Sequence, residues 1–382
     1  MTKEVLDDLH AYAVRVRRVL HEHPEVGFDL ENTCAYVKGE LDGMGIPYTE
    51  KYGKCSIVCE LGKGERTVAL RADMDALPIC EKTDLPFASK NEGKMHACGH
   101  DAHTAVLLAV ARYLKENEDL LPCRVRLIFQ PSEECSESGA KMMVENGVMD
   151  DVDSILAAHC DNTLTVGEIG AVCGDYMAAC APISLHFYGR TSHATAPEAG
   201  VDAIAMAHLA YTRLRDEVRE LAGDHPYIWS VGRFVGGHTH NVIADQCDMD
   251  ISFRFYDGTF AEAVERSTRR IVSEIAEQFG GSADVEFHVS TGAVHNDTET
   301  VTSFTHALSH AGLSVKEISR QMTSEDFGWY LTKARGMLFR FGTRNEARGC
   351  TDALHTNTFT IDEEGMKNAI LAFTSYVFYE CE

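Results

Sequence analysis

The stretch TVALRADMD, residues 67–75, decides the fold. Thr67 to Leu70 show no polar–apolar alternation, and the run ends in Arg71, Asp73 and Asp75. A strand covered on one face alternates every second residue, whereas a strand covered on both faces does not. The same reading gives strands at SIVCEL (56–61), RVRLIFQ (124–130), SILAAH (154–159) and MLFRFGT (337–343), with a buried helix at AHTAVLLAVARYLK (102–115). Strands alternating with helices predict a mostly parallel sheet covered by helices, an α/β fold.

The middle of the chain reads differently. QCDMDISFRFY (246–256) alternates strictly, as a sheet covered on one face should. It belongs to a series of strand (183–189), helix (202–218), strand (228–237), strand (246–256), helix (260–280) and strand (284–290). That β-α-β-β-α-β order predicts a small ferredoxin-like domain. Helix–strand alternation then returns. Residues 1–179 and 293–382 are therefore expected to form one α/β domain, with residues 180–292 an inserted α+β lid and hinges near 178–182 and 290–294. Thr360-Ile361-Asp362-Glu363 has capping-box spacing and predicts the start of the last helix.

The bulk properties exclude several classes. At 382 residues the chain exceeds the ~250–300 at which one core stops growing. Its 35 basic and 59 acidic residues give a net charge of −24, which argues against nucleic acid or an anionic membrane surface as partner. No apolar run approaches the ~18 residues of a membrane span. The N-terminus reads as an amphipathic helix with Val5, Leu9, Tyr12, Val16 and Leu20 on one stripe, not as a signal peptide. Thirteen irregularly spaced cysteines, with Cys55, Cys59, Cys80 and Cys173 in apolar surroundings, suit buried free thiols and a cytoplasmic setting.

The chemistry gathers in short segments. MHACGHDAHT (95–104) carries His96, Cys98, His100, Asp101 and His103 in a loop leading into a helix. In open α/β sheets, such loops at the carboxyl ends of strands form sites. FQPSEECSESG (129–139) presents adjacent acids, Glu133 and Glu134; one can bind a metal while its neighbour serves as general base. Asp73 and Asp75 end one apolar strand, His159 ends another, and His355 in ALHTNTF follows a third. Convergence of these strand ends would gather Cys98, His100, Glu134, His159 and His355. That set exceeds the needs of one tetrahedral ion, so two cations about 3.5–4 Å apart are expected. A thiolate favours zinc, while imidazole and carboxylate also suit manganese, cobalt or nickel.

ALRADMDALP, MHACGHDAHT, QPSEE, AAH, GRTSHATAP, NVIADQCDMDISFRF, SEDF and LHT, in this order, resemble the M20 metallopeptidase family. They look most like its amidohydrolase branch of aminoacylases, hippurate hydrolases and auxin-conjugate hydrolases. The resemblance implies a zinc-peptidase-like α/β catalytic domain with a ferredoxin-like lid through which such enzymes often dimerise. It implies Cys98, His100, Glu134, His159 and His355 as metal ligands, Glu133 as general base, and Asp75 as the acid orienting a metal-bound histidine. His193 matches the histidine that polarises the scissile carbonyl, and Asn241 and Arg254 match substrate-binding positions. Asp73 stands where other branches have a histidine ligand, and is expected to support a ligand from behind. Asn357 departs from a more usual proline beside His355. The implied reaction is hydrolysis of an N-acyl amino acid to a carboxylic acid and a free amino acid. A dipeptidase or carboxypeptidase with the same metals is the alternative. A non-catalytic relative would have lost Glu133 or a ligand, and this chain retains them.

Overall fold

The computed structural model describes residues 1–380. The chain divides into two compact units, one of Met1–Tyr176, Val294–Arg320 and Asp326–Glu382, the other of Met177–Ala293 and Gln321–Glu325. No described helix is long and apolar enough to cross a membrane.

The first unit is built on an eight-stranded sheet. Edge to edge its order is Tyr48–Thr49, Ile57–Leu61, Arg124–Gln130, Thr67–Asp73, Ser154–Thr165, Arg335–Arg344, Ile169–Ala171 and Val315–Glu317. The four central strands, from Arg124–Gln130 to Arg335–Arg344, run parallel. All seven residues of Thr67–Asp73 are buried, as the absence of alternation requires. Helices Lys3–Glu22, His100–Glu116 and Gly365–Glu380 pack with the sheet in one apolar core. In the first of these Leu9, Val16 and Leu20 are buried, whereas Val5, expected on the same stripe, is exposed.

Three local readings are corrected. Ser154–Thr165 does not end at His159 but runs six residues further, because Arg344 pairs with Thr165 across the sheet. The last helix begins at Gly365 and not at Thr360. Asp362 is instead held by Asn345 Nδ2 at 2.6 Å and Arg348 Nη1 at 2.8 Å, and Glu363 by Arg17 and Arg18. Cys55, Cys59, Cys80 and Cys173 are free, but Cys80 and Cys173 are exposed and Cys55 is half-buried, and Cys123, expected as a free thiol, is disulfide-bonded.

In the second unit Ala179–Tyr188, Tyr227–Gly236, Gln246–Phe255 and Ser282–Phe287 form an antiparallel sheet ordered fourth, first, third, second. Helices Ala203–Ala222 and Gly258–Phe279 cover one face. Both start at an aspartate, Asp202 and Asp257, whose carboxylate accepts two backbone N–H groups of the first turn. Residues alternate between buried and open along Gln246–Phe255, matching the sequence pattern. Cys180 and Thr291 form a bridge, so the unit's entering and leaving segments lie side by side.

Segment Gln321–Glu325, expected with the first domain, belongs to the second unit. Ala178 N–H donates to Thr323 O at 2.9 Å, Tyr256 Oη to Gln321 O at 2.7 Å, and Arg254 Nη1 to Ser324 Oγ at 2.6 Å.

Candidate metal centre

Parallel strands bring their carboxyl ends to one edge, and the first unit gathers its titratable groups there. Gly99, at φ +84°, turns the chain between Cys98 and the first residue of helix His100–Glu116. Left-handed backbone of this kind is routine only for glycine. Past Arg124–Gln130, Ser132 adopts φ +53° and delivers Glu133 and Glu134. His355 itself sits at φ +65°, its N–H donating to Ala97 O at 2.8 Å. Strained residues held by their surroundings mark functional sites. The neighbouring Asn357 carbonyl accepts the Lys82 N–H at 2.8 Å, so this loop is pinned.

Seven of the expected residues come together here: Cys98, His100, Glu133, Glu134, His159, His355 and Asp75. Cys98 Sγ lies 3.4 Å from His159 Nε2 and 3.3 Å from His355 Nε2. Glu134 Oε1 is 3.2 Å from His355 Nε2 and 3.8 Å from His100 Nε2. Glu133 Oε2 is 3.9 Å from His100 Nε2. Candidate donor sets emerge as Cys98–His100–His159, Cys98–Glu134–His355 and His100–Glu133–Glu134, each with its atoms within 4.8 Å of one another.

The donors are aimed by what lies behind them. His159 donates its Nδ1 proton to Cys160 O at 2.7 Å, which leaves the Nε2 lone pair facing Cys98. Asp75 Oδ1 is 3.5 Å from His100 Nδ1, and its two oxygens accept the N–H groups of Glu133 at 2.9 Å and Glu134 at 3.1 Å. Asp73, fully buried, accepts from Arg71 Nη1 and His103 Nδ1, both at 2.6 Å, and lies 3.8 Å from His100 Nε2. His103 Nε2 in turn accepts the Cys160 N–H at 2.9 Å. Both nitrogens of His103 are thus engaged, and it braces Asp73 against the strand that carries His159.

Charge follows the same plan. Burial disfavours the His100 imidazolium, but Asp73, Asp75 and Glu134 outweigh it and push its pKa up to about 10. Burial, with Glu134 and Glu133 adding to it, drives the Cys98 thiol well above its usual range. Burial works against ionised Glu134, yet His355 and His100 hold its pKa below normal. Burial pushes His159 well below the ordinary histidine value, aided by Arg340, so it stands neutral. The same burial pushes His96 down to about 3.

A divalent cation fits this arrangement. Both ring nitrogens of His100 are buried and make no hydrogen bond among the described residues. Glu134 Oε1 likewise makes none, and a thiol, imidazoles and a carboxylate converge here, the donor chemistry of borderline transition metals.

The remaining expected residues lie in the second unit. His193 is exposed, its Nδ1 2.8 Å from Thr195 Oγ1, and it bridges Val242 beside Asn241. Asn241 accepts the Ala194 N–H on its carbonyl at 3.0 Å and the Thr239 hydroxyl on Oδ1 at 3.0 Å. Arg254, expected to bind substrate, spends Nη1 on Ser324 Oγ and on Met322 O at 3.3 Å. Sequence reasoning counted His103 only among the five possible donors of its loop and gave no role to Asp326. Asp326 lies in the quoted SEDF, and its only signal there was an acid set directly against an apolar Phe327.

Comparison with known proteins agrees with the geometry. The family described as Peptidase family M20/M25/M40 matches residues 69–378. The N-acyl-L-amino acid amidohydrolase of Geobacillus stearothermophilus is 37% identical over 78% of this chain and 83% of its own. Thermostable carboxypeptidase 1 of Saccharolobus solfataricus is 34% identical over 97% and 95%. The crystal structure of the Bacillus subtilis YXEP protein, described as a dinuclear metal binding peptidase, superposes with a TM-score of 0.84 at 31% identity, covering 98% of this chain and all of that one. The chain belongs to the M20 peptidase family.

Proposed function

We propose that this chain is a metal-dependent amidohydrolase that splits N-acyl amino acids into a carboxylic acid and a free amino acid. The observation that carries the reading is the meeting of Cys98, His100, Glu134, His159 and His355 beside a second carboxylate, Glu133. Those five residues would hold two divalent cations. Bound cations supply Lewis-acid polarisation of the amide carbonyl and of water.

The protein's own groups do the proton work. Glu133 takes the proton of the attacking water as the new C–O bond forms. It then returns that proton to the leaving nitrogen as the C–N bond breaks, since one group can act as base and then as acid. Asp75 holds the backbone of Glu133 and Glu134 and faces His100, so base and ligands keep one register. The resemblance supports His193 as a donor to the developing oxyanion, and Asn241 and Arg254 as substrate-binding residues. The exposed outer strand Tyr227–Gly236, with Phe234 and Val235 open, supports pairing with a second copy.

A second reading is a dipeptidase or carboxypeptidase with the same centre, the latter favoured by the name of the Saccharolobus relative. One experiment separates them. Metal-stripped protein refilled with zinc, manganese, cobalt or nickel is assayed on acetyl, benzoyl and indole-acetyl amino acids and on dipeptides. Preference for blocked amino termini supports the amidohydrolase. Preference for dipeptides over N-acyl amino acids supports the peptidase, and absence of turnover with every ion removes both.

A further inference from the structure

The loop that carries Glu133 and Glu134 is gripped at both ends by one buried carboxylate, that of Asp326. At the loop's entry Gln130 Nε2 donates to both Asp326 oxygens at 2.9 Å. At its exit Ser138 Oγ donates to Oδ2 at 2.7 Å and Ala140 N–H at 3.1 Å. Arg71, which also holds Asp73, donates from Nη2 to Oδ1 at 2.9 Å. The Asp326 backbone N–H points to Glu133 Oε1 at 3.4 Å.

We propose that Asp326 is a positioning residue for Glu133: its carboxylate fixes the span of the loop while its amide sets the direction of the Glu133 carboxylate. A carboxylate offers about four acceptor positions, and Arg71, Gln130, Ser138 and Ala140 supply donors to fill them. An asparagine in its place must turn an NH₂ toward one of those donors, which loosens one end of the loop. Asp326 touches the base and not the substrate, so its loss lowers the chemical step and leaves binding intact. The inference rests on Glu133 as the general base.

The test uses full-length Asp326→Asn, Ser138→Ala and Ser138→Thr, reconstituted with zinc. The readouts are kcat and KM on an N-acyl amino acid, cation content by elemental analysis, and hydrogen exchange of the 132–140 amides in metal-stripped protein. In Asp326→Asn, kcat should fall about 10- to 100-fold, the scale of a slightly misplaced group, with KM and cation content near wild type. Exchange at Glu133 and Glu134 should quicken in the same variant. Ser138→Ala should move kcat and exchange in the same direction by less, and Ser138→Thr, which keeps the hydroxyl, should restore both. Unchanged exchange and kcat in Asp326→Asn overturn the inference, as does loss of cations in step with kcat. If Asp326→Asn fails to fold, the Ser138 pair decides: equal behaviour of alanine and threonine refutes it. Wild-type turnover by Glu133→Gln would instead remove the base assignment, and exchange would still report whether Asp326 grips the loop.

Discussion

Replacing Gly99 with alanine probes how tightly the turn between Cys98 and His100 is built. Gly99 holds φ +84°, where an L-residue costs about 1–2 kcal/mol. The added Cβ would also lie 2.3 Å from Cys160 Sγ. Cys160 cannot swing aside freely: it is fully buried, His103 holds its N–H, and its Sγ lies 3.3 Å from Cys98 O. Overpacking of this kind costs about 1–3 kcal/mol, so the total is about 2–5 kcal/mol. For a unit of this size each kcal/mol lowers Tm by roughly 2–4 °C. Calorimetry of metal-stripped protein should therefore show a Tm loss of about 4–20 °C. Cation binding should weaken as well, because donors flank the substitution on both sides. Gly39, inside helix Glu31–Gly43 with open space at its Cβ position, is the control; Gly39→Ala should stabilise by about 0.5–1 kcal/mol. A Gly99→Ala protein that melts within about 1 °C of wild type and binds cations normally would refute the reasoning.

Glu133→Gln should cut kcat by roughly 10²–10⁴ while cation content stays intact, and unchanged turnover would remove Glu133 from the proton path. Cys98→Ser should lose at least one cation per chain, and full content by elemental analysis would contradict its role as ligand. In the metal-free chain His100 and Cys98 are pushed up, so cation entry must displace protons and affinity should climb with pH. Titration calorimetry in buffers of different protonation enthalpy counts those protons, and finding none would count against both donors. His21 is buried with Nδ1 2.7 Å from Asp101 and Nε2 3.3 Å from Glu81; burial opposes its charge, but these carboxylates raise its pKa. The stability it adds is thus full below about 6.5 and is lost as pH rises through the folded value. His21→Gln should accordingly lower Tm more near pH 6 than near pH 9, and an equal deficit at both would exclude the charged pair.

What a short window of sequence could reveal was periodic. The unbroken run at Thr67–Leu70 and the strict alternation of Gln246–Phe255 each report locally on how many faces are covered. Cys98, His100, Glu133 and Glu134 were legible because each pair or cluster lies within a few residues. What escaped depends on partners far along the chain. The strand through His159 continues to Thr165 because Arg344 pairs with it, and the capping acids Asp362 and Glu363 are claimed by Arg348 and by Arg17 and Arg18. Gln321–Glu325 joins the second unit through Ala178, Arg254 and Tyr256, none of them a neighbour in sequence. His103 looked like one more donor in a histidine-rich loop. Only the tertiary contacts with Asp73 and Cys160 show both its nitrogens engaged.

The bridge between Cys180 and Thr291 bears on how the nascent polypeptide reaches its native state. Strand Arg335–Arg344 must find Ser154–Thr165 across a long intervening stretch, and non-local parallel pairing is intrinsically slow. Closure entropy grows with the length of the loop that has to be restrained. When the Met177–Ala293 unit condenses first, it draws its own two ends together and most of that length no longer counts. An insertion that collapsed on its own would therefore act as a shortcut for the sheet that must close around it, and slowing that collapse would delay the arrival of His355 beside Cys98.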